Sequence, residues 1–404
     1  MRVCIYGSGA REHALASVLG RDADVVVTPG NAGIPASTAQ PVEEIEADLF
    51  VVGPEDPLVG GMADRLRAQG KLCFGPGADG AQLEGSKAWM KQVLDAAHVP
   101  TAQHGSFTDL APALAYLDTM PGFYVIKTDG LAAGKGVLVT ESLTEARDAV
   151  REYLSGAAFG DAGRRVVIEE GLTGPELSLL AVSDGRALAL LAPAQDFKRV
   201  GTGDVGPNTG GMGAYSPVPL AGDSMVDAVV TGAIEPTLHE LRKRGIDYRG
   251  VLYAGIMLTP SGPKMLEYNV RFGDPETQVV VPRMASSLTT LLAQAAAGSL
   301  RDDVRFVDDA AVTVVCATEN YPASPRTGDR IEGLDAARSV EGVSVYCAGV
   351  RGGDDGALYT AGGRVLSVTA LGPSIAAARD RAYRAVRNIS WPGMHHRDDI
   401  AAAV

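Results

Sequence analysis

The sequence predicts a multi-domain α/β protein. It reads as an amino-terminal parallel-sheet domain, a small antiparallel lid, a central mixed α+β part and a carboxy-terminal β-rich domain. Three observations carry this. A chain of 404 residues is longer than one hydrophobic core fills. The first hundred residues alternate apolar strands with amphipathic helices, which implies a parallel sheet covered by helices. From about residue 121 the strand-like runs are short and follow one another with little helix between, as antiparallel strands do. The expected boundaries are 1–100, 101–310 and 311–404, with the lid at about 121–188 and the central mixed part at 189–310.

In the first domain "RVCIYG" (2–7), "DVVVTPG" (24–30), "ADLFVVGPE" (47–55) and "LCFGP" (72–76) read as strands. "REHALASVLG" (11–20) and "GGMADRLRAQG" (60–70) are helices, each closed by glycine. Ligands gather at the carboxyl ends of such strands, here the glycine-bearing turns "GSGAREH", "TPGNAG" and "GPEDPL". The helix "SKAWMKQVLDAAHV" (86–99) leads to the lid strands "FYVIKT", "GVLVT", "RRVVIEEGL" and "ELSLLAVSDG", with one helix at 142–155. A long mixed segment follows to about 297, and strands return in "AAVTVVCA", "VSVYCAGV" and "RVLSVTALG" before a last helix, "SIAAARDRAYRAVRNI".

Composition narrows the function. Hydrophobic residues at 46% and charged residues at 21% are ordinary for a soluble globular protein. No apolar run approaches the roughly eighteen residues of a membrane helix, and the amino terminus reads as strand and turn, not as a signal peptide. The four cysteines, at 4, 73, 316 and 347, are far apart and are expected to be buried, reduced thiols, which places the chain in the cytoplasm. A net charge of -13 repels nucleic acid and anionic membrane, so neither is an expected partner. Phosphate ligands would need placed cations against that field. The six histidines have no ligand spacing, and no zinc is expected.

Four motifs bear chemistry. "GSGAREHAL" (7–15) begins like a dinucleotide fingerprint, but Glu12 takes the third glycine's place and the second strand ends without an acid, which argues against nicotinamide. A helix amino terminus open to some other phosphate and a plain structural turn both stay open. "VIKTDGLAAGKGVLVT" (125–140) fails as a P-loop because its spacing is one residue short and a strand follows. A glycine loop between antiparallel strands can instead fold over a triphosphate, with Lys127 and Lys135 supplying charge, or be a hairpin with solvated lysines. "VVIEEGLTGPELS" (166–178) presents acids that are solvated unless an adenine or ribose lies beside them. In "LEYNVRFGDPETQ" (266–278), Glu267 and Asn269 alternate along a strand and share a face. A carboxylate with an amide oxygen suits Mg²⁺, and Arg271 continues the face where it could stabilise a transferring phosphoryl group. Alternating polar residues also mark any half-exposed strand.

The stretch "AQDFKRVGTGDVGPNTGGMGAY" (194–215) has six glycines between Lys198, Arg199 and Tyr215. Together with "GSGAREHAL", "PGNAG", "GPEDPLVGG", "LEGSKAWMK", "VIKTDGLAAGKGV", "EEGLTGPELS", "LYAGIM" and "LEYNVRFGDPETQ", it resembles the glycinamide ribonucleotide synthetases, or phosphoribosylamine–glycine ligases, of the ATP-grasp superfamily. The resemblance spans nearly the whole chain. It implies ligation of glycine to 5-phosphoribosylamine through glycyl phosphate, using ATP and Mg²⁺ (or Mn²⁺), in purine biosynthesis. It also implies a monomer, with a weak dimer as the alternative.

The resemblance further implies roles for residues. Arg271, Lys127 and Lys198 would be catalytic; Glu267 and Asn269 would hold the metal. Lys87, Lys127, Gly130, Gly134, Lys135 and Gly136 would meet the ATP phosphates, Glu169, Glu170 and Leu172 the adenine, and Glu176 the ribose. Gly9, Asn31 and Glu55 would hold phosphoribosylamine. Asp196, Arg199, Asn208, Thr209, Gly210, Gly211, Met212, Gly213 and Asp274 would form the acceptor wall, with bare N–H groups approaching substrate. The family usually has histidine where Phe197 stands, and often aspartate at Thr202. Another ATP-grasp purine enzyme, carboxylating or formylating, shares the lid and metal strand, but "GPNTGGMGAYSP" speaks against it. Phe197 alone hints at a non-catalytic nucleotide-binding relative.

Overall fold

Four strands at the amino terminus pair in parallel in the order Asp24–Pro29, Arg2–Gly7, Leu49–Val52, Cys73–Phe74, as the β-α rhythm predicts. The structure, a computed structural model, describes residues 1–131, 136–156 and 164–404. Helices cover both faces of this sheet, so Val3, Cys4 and Ile5 are all fully buried, Val3 and Ile5 in one apolar cluster and Cys4 in another.

The lid is an antiparallel sheet in the order His104–Phe107, Val166–Glu170, Tyr124–Thr128, Val137–Thr140. Helices Leu110–Leu117 and Leu143–Leu154 pack on it around Ile126, Val150 and Ile168, a hydrophobic cluster separate from the rest. Two strands differ from their expected places. His104–Phe107 joins the lid from before residue 121, and Glu176–Asp184 leaves it for the central sheet. That sheet runs Leu188–Leu190, Glu176–Asp184, Arg249–Thr259, Gly262–Asn269. Eight of the nine residues in Glu176–Asp184 are buried, the mark of an interior strand, whereas its place in the chain suggested a lid edge.

The carboxy-terminal sheet contains more than the last hundred residues supply. Its order is Gln195–Asp196, Gly213–Ser216, Ala310–Ala317, Arg364–Gly372, Val343–Cys347. The glycine-rich stretch therefore begins and ends as strands of this sheet, with a hairpin, Arg199–Gly201 and Val205–Asn208, projecting between them. Helices Asp223–Val229, Glu235–Lys243 and Leu288–Ala297 fill the segment that read as mixed. All four cysteines are free and buried. Among the described residues no helix is long and apolar enough to cross a membrane.

Glu12 explains the broken fingerprint of the first turn. Its carboxylate accepts the Gly9 N–H at 2.7 Å and the Arg11 Nε–H at 2.6 Å, and only 1% of the residue is exposed. A Cβ on Gly53 would stand 2.0 Å from its Oε1, and one on Gly7 2.6 Å from its Cδ. These glycines are therefore required by the buried carboxylate between them. Gly53→Ala is expected to push Glu12 off the helix terminus and destabilise the protein by about 1–3 kcal/mol. Urea denaturation measures this, and an unchanged midpoint would refute the packing argument.

Candidate active site

A cleft of about 830 Å³ opens between the lid and the central sheet. Its apolar part is made by Val125, Val137, Leu172, Met257 and Leu266, and its polar part by Lys127, Glu169, Glu176, Asp196, Lys198 and Glu267. An apolar slot leading to clustered cations suits a flat ring carrying a polyanion.

Lys127 comes from a lid strand paired with the one that carries Glu169. Its Nζ lies 2.8 Å from Glu169 Oε1, and Lys91 Nζ lies 3.0 Å from the other oxygen. Lys91 also donates to Thr101 Oγ1 at 2.7 Å. Burial works against the Lys127 ammonium, but Glu169 and Glu267 outweigh it and hold its pKa up. Burial would raise the Glu169 carboxyl, yet Lys127 and Lys91 keep it below the usual carboxylate range. Lys87 donates from Nζ to the Gly130 carbonyl at 3.0 Å, and burial lowers its pKa. Gly136 accepts the Thr128 N–H at 2.8 Å. Gly134 and Lys135 lie outside the described residues.

Across the cleft, residues Gln195–Asp196 pair with Tyr215 and Ala214, which places Lys198 over the central sheet. Lys198 Nζ reaches Glu176 and lies 3.7 Å from Asp196 Oδ1. Burial, with Glu276 and Glu176 nearby, carries the Asp196 carboxyl up to about 7 against the pull of Lys198. Burial would raise Glu267 too, but Lys198, Lys127, Lys87 and Arg271 hold it ionised below its ordinary value. No hydrogen bond or ion pair to the Glu267 carboxylate occurs among the described residues, although its backbone pairs with Gly255.

Arg271 links this cleft to the first domain. Its Nε donates to Glu55 Oε2 at 3.1 Å, and its Nη2 to Glu84 Oε1 at 3.0 Å and Asn269 Oδ1 at 3.2 Å. Glu84 also accepts the Val270 N–H at 2.8 Å, which locks the strand end. Asp274 pairs with Arg364 at 2.9 Å and accepts from Gln278 at 2.6 Å.

Three family models match this chain in succession. They are the phosphoribosylglycinamide synthetase N domain at residues 1–84, its ATP-grasp (A) domain at 85–277 and its C domain at 311–403. The chain belongs to the phosphoribosylglycinamide synthetase family. A phosphoribosylamine–glycine ligase of Streptomyces coelicolor is 50% identical over 100% of this chain and 99% of its own. One of Mycobacterium leprae is 46% identical over 99% and 97%. The crystal structure of the ligase from Thermotoga maritima superposes with a TM-score of 0.88 at 34% identity, covering 99% of this chain and 100% of that one. The biotin carboxylase domain of Hydrogenobacter thermophilus 2-oxoglutarate carboxylase shares the fold, with a TM-score of 0.73 at 16% identity over 98% and 91%.

Synthetases of this family ligate glycine to phosphoribosylamine in purine biosynthesis, and this one is an ATP-dependent carboxylate–amine ligase of ATP-grasp fold, using ATP with Mg²⁺ or Mn²⁺. Of the residues expected in the synthetase site, the cleft gathers Lys127, Glu169, Glu170, Leu172, Glu176, Asp196, Lys198, Arg199, Asn208, Thr209 and Glu267. Others have different work. Asn31 spends its amide on the carbonyls of Ser8, Cys347 and Ala348 and on the Gly33 N–H, so it bolts the first domain to the last sheet. The Gly9 amide is taken by Glu12, so it is not among the free N–H groups of that helix terminus. Glu169 turns its carboxylate to two lysines, which leaves only its backbone for a purine.

The expectation of bare amides in the glycine loop also needs correction. The Gly210 N–H donates to Tyr321, that of Gly211 to Thr209 Oγ1 at 3.0 Å, and that of Met212 to the Phe197 carbonyl at 2.7 Å. Met212 is 0% exposed and Gly213 belongs to a buried strand. Close packing is the reason for the glycines: a Cβ on Gly211, where φ is +109°, would stand 2.4 Å from Pro275 Cδ, and one on Gly213 2.7 Å from the Thr313 carbonyl.

Sequence reasoning passed over Lys91, Glu84, Arg11 and Arg364. Lys91 had a signal, since it lies four residues beyond Lys87 on the same helix face. Arg364, which donates to the carbonyls of Gly210 and Asp274, had none.

Burial outweighs Arg271 at Glu84 and carries its carboxyl from 4.5 up to about 7. A raised carboxyl contributes stability that is fully present below 4.5 and lost as pH rises through about 7. Glu84→Gln is expected to flatten that part of the melting-temperature profile; an unchanged slope between these pH values would refute the shift.

Proposed function

We propose that the cleft carries out the synthetase reaction with Lys127 and Lys87 on the ATP phosphates, Glu267 and Asn269 at the metal, and Lys198 and Arg271 on the transferring phosphoryl group. The observation that carries this reading is Glu267, an ionised carboxylate faced by four cations and without a partner among the described residues. Glu267 and Asn269 are hard oxygen donors, and no group of three or more His, Cys, Asp or Glu side chains among the described residues could hold an ion alone. That set fits Mg²⁺ or Mn²⁺ arriving with nucleotide oxygens and water. The metal would supply neutralisation of phosphate charge.

The residues then divide the work. The apolar slot beside Leu172 takes the adenine, and Glu176 lies within reach of the ribose. Lys198 and Arg271 stabilise the negative charge as the glycine carboxylate meets the γ-phosphate to form glycyl phosphate. Asp196 offers an acceptor to the glycine ammonium. Glu55, held by Arg271, stands at one of the strand-end turns of the first domain, where phosphoribosylamine would deliver its amine to the acyl carbon and phosphate leave. The lid shields glycyl phosphate from water. We further infer a cytoplasmic monomer acting in three domains, 1–100, 101–310 and 311–404; the free, buried thiols support the compartment.

ADP release should require both glycine and freshly generated phosphoribosylamine, and turnover with either omitted would sink the proposal. Glu267→Ala is expected to reduce kcat by about 10²-fold or more and shift the Mg²⁺ dependence upward. Lys91 supplies a charge-balance test. Lys91→Met leaves Glu169 to draw wholly on Lys127, so ATP binding, read by calorimetry, should weaken on the order of tenfold or more. Adding Glu169→Gln should restore much of it; a double variant as weak as the single would show that Lys91 acts by packing instead.

A further inference from the structure

Phe197 stands where this family usually carries histidine, and the structure gives it a partner. The strand Gln195–Asp196 continues through Phe197, whose N–H donates to the Gly213 carbonyl at 2.9 Å and whose carbonyl accepts the Met212 N–H at 2.7 Å. Side chains alternate along such a segment, so the Phe197 ring diverges from Asp196 and Lys198, yet it and Arg397 line the same cleft as those two. The Arg397 guanidinium lies over the Phe197 ring, 5.0 Å from its centroid.

Arg397 is only 1% exposed, and its groups are all engaged. It forms a fork with Asp399, Nε to Oδ1 at 2.8 Å and Nη2 to Oδ2 at 2.7 Å. Its Nη1 donates to Asp204 Oδ1 at 3.0 Å and to the Arg199 carbonyl at 3.1 Å, both in the hairpin that follows Lys198. Neighbouring bonds repeat the link. Asp399 accepts the Gly203 N–H at 2.9 Å, Thr202 Oγ1 accepts the Asp398 N–H at 3.1 Å, and the His395 ring meets the Val200 carbonyl at 2.7 Å. Behind Arg397, Tyr383 of the last helix donates to its carbonyl at 2.8 Å. Segment 395–399 thus fastens the hairpin to the carboxy-terminal sheet and helix.

The hairpin begins at Lys198 and returns to Thr209, whose N–H and hydroxyl both donate to the Lys198 carbonyl at 2.7 and 2.8 Å. We propose that Arg397 is a positioning residue for the ligation: through Phe197 and the hairpin it holds Lys198 and Thr209 against the cleft, and the flat ring at 197 is the platform of its buried guanidinium. The inference rests on Lys198 belonging to the reacting site. Guanidinium over an aromatic face is an attractive pair, stronger where water is excluded. A loosened wall would let water reach glycyl phosphate, returning glycine and phosphate after ADP has formed, so that ADP would exceed amide product.

The test measures ADP and glycinamide ribonucleotide together in the full chain. Arg397→Met is expected to lower kcat at least tenfold and raise the ADP-to-product ratio above one, with Arg397→Lys, which keeps the charge, intermediate. Phe197→Leu should produce the same uncoupling in milder form, and Phe197→His, which keeps a flat ring, should not. Adding Phe197→Leu to Arg397→Met should cost little more, because the two act as one unit. Coupled, normal turnover in both single variants, or a fall in melting temperature with the ratio unchanged, would overturn the inference. Phe197→Leu keeps the question answerable should Arg397→Met fail to fold. Lys198→Met separates the two levels. If it leaves turnover intact, the proposed site is wrong; if it impairs turnover while the Arg397 variants do not, only the positioning role falls.

Discussion

Everything in the site depends on holding cations together in a protein of net charge -13. Lys87, Lys127, Lys198 and Arg271 converge on Glu267, and like charges so close repel unless each is balanced. The molecule balances three of them with carboxylates, while Lys87 donates to the Gly130 carbonyl. Lys127 has Glu169, Lys198 has Glu176 and Asp196, and Arg271 has Glu55 and Glu84. Lys91 keeps this from going too far: by sharing Glu169, it leaves Lys127 with charge to spare. The constellation is pre-organised for a polyanion, with most of the desolvation already incurred on folding.

How much of this was legible in the sequence follows from the range of the forces involved. The β-α rhythm of residues 2–76 and the alternation of Glu267 and Asn269 are local patterns, and both appear in the structure as read. Assigning a strand to a sheet is not local. Glu176–Asp184 pairs with Arg249–Thr259, more than sixty residues away, and nothing in its own apolar run distinguishes that partner from a lid neighbour. Arg364 and Arg397 reach the glycine loop from the far end of the chain, where each reads as an ordinary surface arginine. Their burial is a property of the fold alone.

Glycine misleads for a related reason. A run such as "GPNTGGMG" reads as backbone bared for a ligand, because missing side chains are all the sequence shows. In the structure the space is filled by protein: Pro275 lies against Gly211, the Arg364 guanidinium against Gly210, and Thr313 with Ile400 against Gly213. Gly7 and Gly53 make the same point about Glu12. Here glycine marks where a buried charge or another backbone approaches closely.

The division of the hydrophobic core bears on the order of events. The first domain, the central sheet and the carboxy-terminal sheet share two continuous clusters, joining Cys4 with Leu252 and Cys316 in one, and Val3 with Leu180 and Tyr346 in the other. The lid has its own, from Ala113 to Ile168. Displacing the lid therefore exposes little core, whereas displacing the wall that carries Lys198 would tear the carboxy-terminal sheet and the bonds of Arg397. The lid is thus the part cheapest to move, and the wall that carries Lys198 is the part most firmly fixed, which suits the proposed reaction. A ligase with a hydrolysable intermediate needs that asymmetry, because one rigid wall lets a single closing motion both align the acyl phosphate and exclude water.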